Sequence, residues 1–488
     1  MVEAERGDIG AAVELRRFYI DGRWIEASSS AQHVLVDAAT EQPFGTVSLA
    51  AEADVDAAVA AAKRAFVSWS RTDPAERIAC VERMRAVHLD RNEDMALAIS
   101  REMGAPIDLA RQAQAGAGPR HMTNYLAAMQ SFEFIRPLGP HAPSDRIVLE
   151  PAGVAALITP WNWPISQITL KVAAALLAGC TVVLKPSEMA PLSARVFAEI
   201  VHAAGLPPGV FNLVHGNGTG AGQHLVTHPD VDVVSFTGST RAGIAITKAA
   251  AESLKRVGLE LGGKGANIVF ADADDKAVER GVRQCFVNSG QNCNAPSRML
   301  VERSIYRRSV ERAAEIARSI TVGVPSRSGP HIGPVISAVQ YEQIQRLIGK
   351  GIAEGARLAA GGPGRPVGFE RGYFVQPTVF ADVTNDMIIA REEIFGPVLS
   401  MIPFDGEEEA IEIANDTPYG LTNYVQSQDA ERCNRVARRL RSGMVEMNGQ
   451  PRGAGSPFGG VKASGRAREG GALGIEEFLD VKSISGWA

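Results

Sequence analysis

The sequence contains few cysteines, and none of them are spaced as a metal site or a disulfide framework would require. The five cysteines are scattered along the chain and include no CxxC pair, which argues against a zinc knuckle and against a disulfide-stabilised secreted domain. A reduced compartment fits this usage, and we expect no metal site. On residue type alone, each cysteine is more simply explained as a small core side chain than as a catalyst.

The chain also lacks a long apolar run and an excess of positive charge. Its first residues mix acids and bases without the apolar centre of a signal peptide, and prolines interrupt the longest uncharged stretch, residues 151–170. A net charge of -5 gives no general attraction to nucleic acid or to anionic membranes. We therefore expect a cytoplasmic protein whose partners are small molecules.

The composition is that of a soluble globular enzyme. Hydrophobic residues make up 45% and charged residues 22% of a chain of 488 residues, and this length predicts about three structural units. From Val154 onward, short apolar runs alternate with helical segments, a pattern typical of a parallel sheet with helices on its faces. A second such series begins near Ala266 and includes a helix over about 274–288, and the glycine-rich segment LELGGKG between the two series suits a domain boundary.

The regions outside these two series give weaker signals. The segment RRFYIDGRWIEA alternates around Asp21 and Gly22 and predicts an edge hairpin. Helices follow, opened by Asp73 and Pro74 and stopped at Gly104, so we expect the N-terminal third to be largely helical. Residues around 133–150 and the tail from about 472 are predicted as isolated strands attached to neither series. Exposed strands without local partners often pair with another subunit.

Two motifs suggest a dinucleotide. In VVLKPSE, Lys185 and Glu188 follow a predicted strand, where an ammonium and a carboxylate can hold the hydroxyls of an adenosine ribose, and the carboxylate would repel a 2′-phosphate. In FTGSTRAG, Gly238 and Gly243 allow a pyrophosphate to approach a helix N-terminus. Taken alone, Lys185 and Glu188 are as readily explained as a solvated ion pair, and Gly238 and Gly243 as glycines that a turn needs for packing.

Three further motifs suggest covalent chemistry at a carbonyl. Asn162, held between tryptophans and prolines in TPWNWP, can donate a hydrogen bond to a developing oxyanion. Glu260 in LELGGK lies in an apolar setting that raises a carboxyl pKa toward that of a general base. Cys293 in SGQNCNAP has small neighbours that leave its sulfur approachable. Each of the three also has a structural explanation when it is taken alone.

These motifs, in this order and spacing, resemble the aldehyde dehydrogenase superfamily over nearly the whole chain. The matching segments are TPWNWP, LKPSE, FTGST, ELGGK, GQNC, EEIFGPV and SPFGGVKASG, with FYIDGRW and VKSIS near the two ends. The resemblance implies an α/β fold with a Rossmann-type cofactor domain, an α/β catalytic domain and a small β oligomerisation arm. It implies the division 1–132 and 152–261 for the cofactor domain, 262–455 for the catalytic domain, and 133–151 with 456–488 for the arm and tail.

The resemblance also implies roles for individual residues. Cys293 is the nucleophile, Asn162 with the Cys293 backbone N–H is the oxyanion partner, Glu260 is the general base, and Lys171 and Glu469 assist proton movement. The positions that contact the cofactor, NAD with NADP as the alternative, are Trp161, Lys185, Glu188, Gly238, Ser239, Gly243, Leu261, Glu393 and Phe395. The residues expected to line the substrate tunnel are Trp163, Gln167, Leu170, Asn292, Asn294, Arg452 and Phe458.

The function expected from the resemblance is oxidation of an aldehyde to a carboxylic acid by a homo-oligomer, a tetramer or a dimer. The first alternative is a semialdehyde dehydrogenase that passes the thioester to coenzyme A, although that branch typically lacks the glutamate found here at position 260. The second is a binding or structural protein of the same fold without turnover. Arg452 suggests a substrate with a distal carboxylate, and an ordinary exposed arginine is the other explanation.

Overall fold

A computed structural model describes residues 13–487, so the expected absence of a signal peptide at the start of the chain falls largely outside the described residues. The strands are β1 (Val13–Leu15), β2 (Arg17–Ile20), β3 (Arg23–Glu26), β4 (Gln32–Val36), β5 (Pro43–Ser48), β6 (Ile135–Pro137), β7 (Asp145–Pro151), β8 (Val154–Thr159), β9 (Thr181–Pro186), β10 (Phe211–Leu213), β11 (Val233–Thr237), β12 (Arg256–Glu260), β13 (Ala266–Val269), β14 (Arg298–Glu302), β15 (Arg357–Ala360), β16 (Thr378–Ala381), β17 (Val398–Phe404), β18 (Thr422–Gln426), β19 (Met444–Met447) and β20 (Leu479–Ser485).

Helices connect most of these strands. They are α1 (Glu52–Trp69), α2 (Pro74–Asp90), α3 (Asn92–Met103), α4 (Ile107–Leu109), α5 (Ala117–Met129), α6 (Pro164–Ala178), α7 (Pro191–Ala203), α8 (Gln223–Thr227), α9 (Thr240–Ala251), α10 (Ala277–Phe286), α11 (Arg303–Ser319), α12 (Ala338–Ala353), α13 (Ile388–Arg391), α14 (Gly406–Asn415), α15 (Ala430–Arg439) and α16 (Gly471–Glu476). None of these helices is long and apolar enough to cross a bilayer.

Local sequence explains several boundaries that were expected. Asp73 caps α2 by accepting a hydrogen bond from the backbone N–H of Ala75 at 2.8 Å, with Pro74 in the first helical position. Gly104 ends α3 in the left-handed conformation, at φ 76°. The turn at Asp21 and Gly22 joins β2 and β3 as the predicted hairpin. These three predictions are confirmed.

Two seven-stranded sheets form the centre of the molecule. The first has the order β12-β11-β8-β9-β10-β2-β3, and β12 to β10 run parallel. The second has the order β15-β16-β17-β14-β13-β18-β19 and is parallel except at β15. The predicted alternation of strands and helices is confirmed in both, and residues 261–265, the expected seam, connect the last strand of the first sheet to β13 of the second.

Each sheet is buried on both faces. In β8, Ala155 and Leu157 belong to one hydrophobic core, whereas Val154, Ala156 and Ile158 belong to another on the opposite face. Successive side chains of a strand point to opposite faces, so helices cover both sides. This explains why the strand is a continuous apolar run, as expected for a parallel strand inside a doubly wound sheet.

The structure corrects three expectations. The strands near 133–150 and in the tail are not without local partners, because β7 pairs with β20 over its whole length and with β6 on its other side. The helix expected at about 274–288 ends at Phe286 and continues as a 3-10 turn over Val287–Gly290. The largely helical N-terminal third also contains a separate sheet of order β1-β5-β4, whose strands are too short to give a clear alternation.

Candidate active site

The first sheet presents one common edge where its parallel strands end. Thr159 of β8 is in register with Pro186 of β9, and Thr237 of β11 is in register with Glu260 of β12. The carboxyl ends of these four strands therefore lie side by side, which is where open α/β sheets bind ligands. The segments that follow them carry most of the polar residues singled out in the sequence.

Lys185 and Glu188 occupy this edge together. The buried Lys185 ammonium donates hydrogen bonds to the carbonyl oxygens of Pro186 at 2.8 Å and Gly216 at 2.6 Å, and a Glu188 carboxylate oxygen lies 4.0 Å away. Burial lowers the pKa of Lys185 to about 8, and the negative charge of Glu188 acts in the opposite direction. One N–H of the ammonium remains for a ligand, and the Glu188 carboxylate is partly exposed to receive hydroxyl groups.

The turn after β11 leads directly into α9. The Ser239 hydroxyl caps this helix by accepting a hydrogen bond from the backbone N–H of Ala242 at 3.3 Å. A Cβ at Gly238 would lie 2.4 Å from the ring of Phe236, and one at Gly243 would lie 2.8 Å from the side chain of Leu261. Side-chain packing therefore favours glycine at both positions, and the helix N-terminus itself is the feature that fits an anion.

A rigid turn positions Cys293. Asn288 and Ser289 adopt left-handed conformations, with φ 55° and 57°, and Gly290 follows with φ 74°. A Cβ at Gly290 would lie 2.1 Å from the carbonyl oxygen of Gly396. The side chain of Gln291 donates to the carbonyl oxygen of Asn288 at 3.1 Å. Strained backbone of this kind persists only where the surroundings hold it in place.

The loop that follows β8 is fastened to this turn. The buried side-chain amide of Asn162 donates to the carbonyl oxygen of Gln291 at 3.0 Å, and the amide of Asn288 donates to the carbonyl oxygen of Asn162 at 3.0 Å. The indole of Trp163 donates to the side-chain oxygen of Asn292 at 2.5 Å. The amide of Asn162 is therefore fixed beside the residues that lead to Cys293.

The side chain of Cys293 is partly exposed and lines a cavity. Burial raises the pKa of its thiol to about 12, the charges of Glu393 and Glu260 act in the same direction, and Arg452 acts against them. A Cβ at Gly263 would lie 2.3 Å from the Cys293 carbonyl oxygen. Gly263 therefore allows the segment after β12 to touch the loop that carries Cys293. The thiol at rest is protonated and needs a base before it can act as a nucleophile.

Glu260 is a buried carboxyl group at the end of β12. Neither of its oxygens has a hydrogen-bond partner within residues 13–487. Burial and then the neighbouring Glu469 carboxylate raise its pKa well above the usual range, and Lys171 opposes this. A carboxyl group with a raised pKa is a stronger base than an exposed one, as a general base requires.

Lys171 and Glu469 form a buried ion pair beside Glu260, although 298 residues separate them in the sequence. The Lys171 ammonium also donates to the hydroxyl of Ser235 at 3.1 Å. The second carboxylate oxygen of Glu469 has no partner in the described part of the chain. These groups together form a small polar cluster able to hold and exchange protons.

Glu393 lies against Gly262 and Gly263, the two glycines that follow β12. A Glu393 carboxylate oxygen accepts a hydrogen bond from the backbone N–H of Gly263 at 2.9 Å, and burial raises the pKa of this group to about 7. The rings of Phe395 and Trp161 meet edge to face, with centroids 5.5 Å apart. Trp161, which follows β8, and Phe395, which precedes β17, are therefore in contact, and both were expected to contact the cofactor.

A cavity of about 540 Å³ opens beside Cys293. All seven residues expected to line a substrate tunnel do so: Trp163, Gln167, Leu170, Asn292, Asn294, Arg452 and Phe458. Helix α5, which no sequence motif indicated, supplies Arg120, His121, Asn124 and Tyr125 to the same wall. Their spacing in the sequence, i, i+1, i+4 and i+5, could have indicated this wall, because it places the four polar residues on one side of a helix.

Arg452 has partners of its own in this cavity. Its guanidinium group donates to a carboxylate oxygen of Glu446 at 3.1 Å and lies over the ring of Phe458, 4.8 Å from the centroid. Its positive charge is therefore balanced by a neighbouring carboxylate and is held against an aromatic face.

The chain is similar to known proteins over nearly its whole length. A model of the aldehyde dehydrogenase family matches residues 24–484. A 3-succinoylsemialdehyde-pyridine dehydrogenase from a Pseudomonas species is 50% identical over 476 residues, which are 97% of this chain and 99% of the relative. An aldehyde dehydrogenase structure from Bartonella henselae is 55% identical, with a TM-score of 0.96, over 97% of this chain and 100% of that one. A mutant of aldehyde dehydrogenase C from Pseudomonas syringae, complexed with NAD+ and octanal, is 48% identical, with a TM-score of 0.95, over 97% of each chain.

Proposed function

The chain belongs to the aldehyde dehydrogenase family, and on that premise we propose how its own residues carry out the reaction. The enzyme oxidises an aldehyde to the carboxylic acid with NAD. The observation that carries the proposed mechanism is that the Cys293 thiol lies on the wall of a cavity, while the Asn162 amide is bonded to the backbone of Gln291, two residues before it, and the unpartnered carboxyl of Glu260 is near enough to raise the pKa of the thiol.

The residues at the sheet edge fit NAD. The free N–H of Lys185 and the partly exposed carboxylate of Glu188 suit the adenosine ribose, and the N-terminus of α9 at Ser239 suits the pyrophosphate. Glu393 and Phe395 would hold the nicotinamide half. The carboxylate of Glu188 disfavours a 2′-phosphate, so NAD is preferred over NADP. Bound NAD supplies the acceptor for the hydride that leaves the substrate carbon.

Cys293 and Asn162 act at the first stage. The thiol of Cys293 loses its proton to Glu260, and the sulfur forms a bond to the aldehyde carbon. The carbonyl oxygen becomes an oxyanion, which accepts hydrogen bonds from the second amide N–H of Asn162 and from the backbone N–H of Cys293. Loss of hydride from this adduct leaves a thioester on Cys293.

Glu260 acts again in the second stage, after the proton that it took from Cys293 has been released past Lys171 and Glu469, whose ion pair lies beside it. As a carboxylate it removes a proton from a water molecule that attacks the thioester carbon, and the sulfur of Cys293 leaves as the thiolate. The proton then on Glu260 passes to this thiolate and restores the thiol of Cys293. The product is a free carboxylic acid.

Two alternatives are less well supported. A coenzyme A-acylating enzyme does not need the general base that the unpartnered carboxyl of Glu260 provides. A binding protein without turnover does not need a cysteine on the wall of a cavity beside an orienting amide. Both alternatives predict that an aldehyde and NAD alone give no sustained turnover.

We further propose that the enzyme is a cytoplasmic homotetramer, with a dimer as the smaller alternative. The sheet of β6, β7 and β20 leaves two strands at its edges, and Val481 and Ile135 on them are exposed. Edge strands of this kind pair with other chains. The division into cofactor domain, catalytic domain and arm, at the boundaries given above, belongs to the same proposal.

The test is an aldehyde panel in which NADH absorbance is followed with NAD or NADP, each with and without coenzyme A. We expect sustained turnover with NAD alone and a free acid as the product. Turnover that requires coenzyme A supports the acylating alternative, and the absence of turnover with every aldehyde supports the binding protein.

A further inference from the structure

The outer part of the cavity beside Cys293 carries one positive charge without a counter-charge. We propose that the enzyme selects aldehydes that bear a carboxylate at the end remote from the carbonyl, and that Arg120 binds this carboxylate. This proposal rests on the proposed function, because it assigns a substrate class to the same cavity.

Helix α5 places Arg120 on the cavity wall. Arg120 and Asn124 are one turn apart, as are His121 and Tyr125, so all four side chains lie along one side of the helix. Each of them lines the cavity. Tyr125 is buried and donates to the carbonyl oxygen of Leu170 at 2.7 Å, whereas Arg120 is exposed. The helix thus leads from the buried part of the cavity to solvent, with the guanidinium group at the outer part.

Three charged side chains line the cavity, and two of them are neutralised. Glu469 is paired with the buried Lys171, and Arg452 is paired with Glu446. The guanidinium group of Arg120 has no ion pair or side-chain hydrogen bond within residues 13–487. A monoanionic substrate would balance this remaining charge, and a guanidinium group can hold a carboxylate with two parallel hydrogen bonds.

The groups around Arg120 do not compete for an anion. His121 bonds to the hydroxyl of Ser166, at 2.9 Å, and burial, with smaller effects from Arg120 and Arg452, lowers its pKa to about 3. It is therefore neutral at physiological pH. Glu469, at the buried end, is the one carboxylate among the described residues that line the cavity. No carboxylate on this wall would repel an anion near Arg120.

Arg452 is less suitable for this role than the sequence indicated. Its guanidinium group already donates to Glu446 and lies over Phe458. A substrate carboxylate that reached Arg452 would also approach the carboxylate of Glu446, and like charges in such proximity repel each other. Arg452 therefore forms part of the wall, and Arg120 determines the preference for charge.

The proposal is tested with adipic semialdehyde and hexanal, which have the same six-carbon chain and differ in the terminal carboxylate. For the wild-type enzyme we expect kcat/KM for adipic semialdehyde to exceed that for hexanal by about tenfold or more. In Arg120→Leu this ratio should fall about tenfold, Arg120→Lys should retain part of it, and raised salt should lower it in the wild type. Arg307→Leu, which removes an arginine with an exposed side chain paired with Glu311 on α11, should leave the ratio unchanged.

Charge reversal gives a second measurement. Arg120→Glu should lower the relative use of adipic semialdehyde further and raise that of an aldehyde with a terminal trimethylammonium group. Hexanal turnover by each variant is the internal reference for folding. A wild-type ratio of one or less, or a ratio unchanged in Arg120→Leu, overturns the assignment of Arg120. A wild-type enzyme that oxidises none of the three aldehydes overturns the proposed function instead.

Discussion

The side-chain amide of Asn162 donates a hydrogen bond to the backbone carbonyl oxygen of Gln291, over 3.0 Å. One of its two N–H groups is thereby committed to the loop that carries Cys293, and the amide cannot rotate without breaking this bond. The second N–H can donate a hydrogen bond to the oxyanion that we propose forms at the substrate bound to Cys293. A donor fixed in advance stabilises a developing charge without reorganisation during the reaction.

Replacement of Asn162 by alanine should therefore lower kcat by on the order of a hundredfold or more, because it removes this donor from the oxyanion. Steady-state kinetics with a saturating aldehyde measure the effect. Asn434→Ala, which changes an exposed asparagine on α15, is the matched control and should remain at wild-type rates. A less than threefold loss in Asn162→Ala would contradict the role given to this amide.

The covalent role proposed for Cys293 predicts a larger loss. Cys293→Ser should lower aldehyde oxidation by roughly a thousandfold or more, because a serine hydroxyl is a much weaker nucleophile without further activation. NADH formation is the measurement. The control is Cys80→Ser, which affects a buried cysteine on α2 that contacts Arg83 at 3.1 Å and lies away from the cavity. Equal activity of the two variants would contradict the mechanism.

Glu260→Gln should separate the two stages of the reaction. The thioester would form and then persist, so rapid-mixing experiments should show a burst of up to one NADH per active site followed by slow turnover. The control is Glu252→Gln, at an exposed carboxyl after α9. Fast steady-state turnover without a burst in Glu260→Gln would assign the hydrolysis to another base.

The raised pKa of Glu260 also predicts a pH profile. Glu260, the proposed base, is active as the carboxylate, and burial holds its pKa well above the usual range of a carboxyl group. The rate of thioester hydrolysis should therefore be low at acidic pH and should rise with pH through that raised pKa. The rise should be absent in Glu260→Gln, and a profile unchanged by the substitution would assign the titration to a different group.

The cofactor preference depends on one carboxylate. The ratio of kcat/KM for NAD to that for NADP should exceed one in the wild type and should fall about tenfold or more in Glu188→Gln, because repulsion of the 2′-phosphate is removed. Glu76→Gln, in the first turn of α2, is the control. An unchanged ratio in Glu188→Gln would mean that another group discriminates between the two cofactors.

The arm predicts an effect on assembly. Val481 on β20 is 71% exposed in the single chain, and an aspartate there would introduce a charge into an edge that we expect another subunit to cover. Val481→Asp should therefore lower the mass measured by light scattering after size exclusion, relative to the wild-type tetramer or dimer. Val367→Asp is the control, since Val367 is fully exposed in a loop. An unchanged mass in Val481→Asp would place the subunit contact elsewhere.

Local patterns in the sequence predicted the elements but not their pairing. The run VAALIT is β8, and the segment before Cys293 is α10 with a 3-10 turn, because apolar periodicity is a local property. The antiparallel pairing of β7 with β20 joins segments more than 300 residues apart. No local pattern encodes such a partner, which is why both strands looked isolated in the sequence.

The same distinction applies to the site. Asn162, Glu260 and Cys293 could be proposed from the sequence because each lies in a short, unusual motif. The structure places Cys293 on the wall of the cavity, with Asn162 bonded to the nearby Gln291 and with Glu260 close enough to raise the pKa of the thiol. Arg120 was missed because a charged residue on an amphipathic helix usually faces solvent. The role proposed for Arg120, binding of a substrate carboxylate, depends on the neutralisation of Arg452 by Glu446. Only the three-dimensional arrangement reveals that contact.

The ion pair between Lys171 and Glu469 has a consequence for protein synthesis. The strand ends at the common edge of the first sheet precede residue 261, yet the acidic partner of Lys171 is translated 298 residues after it. During translation Lys171 therefore lacks its counter-charge, although it lies at a site that is buried in the folded protein. The ion pair, and the proton exchange proposed for it, can form only after residue 469 has emerged from the ribosome.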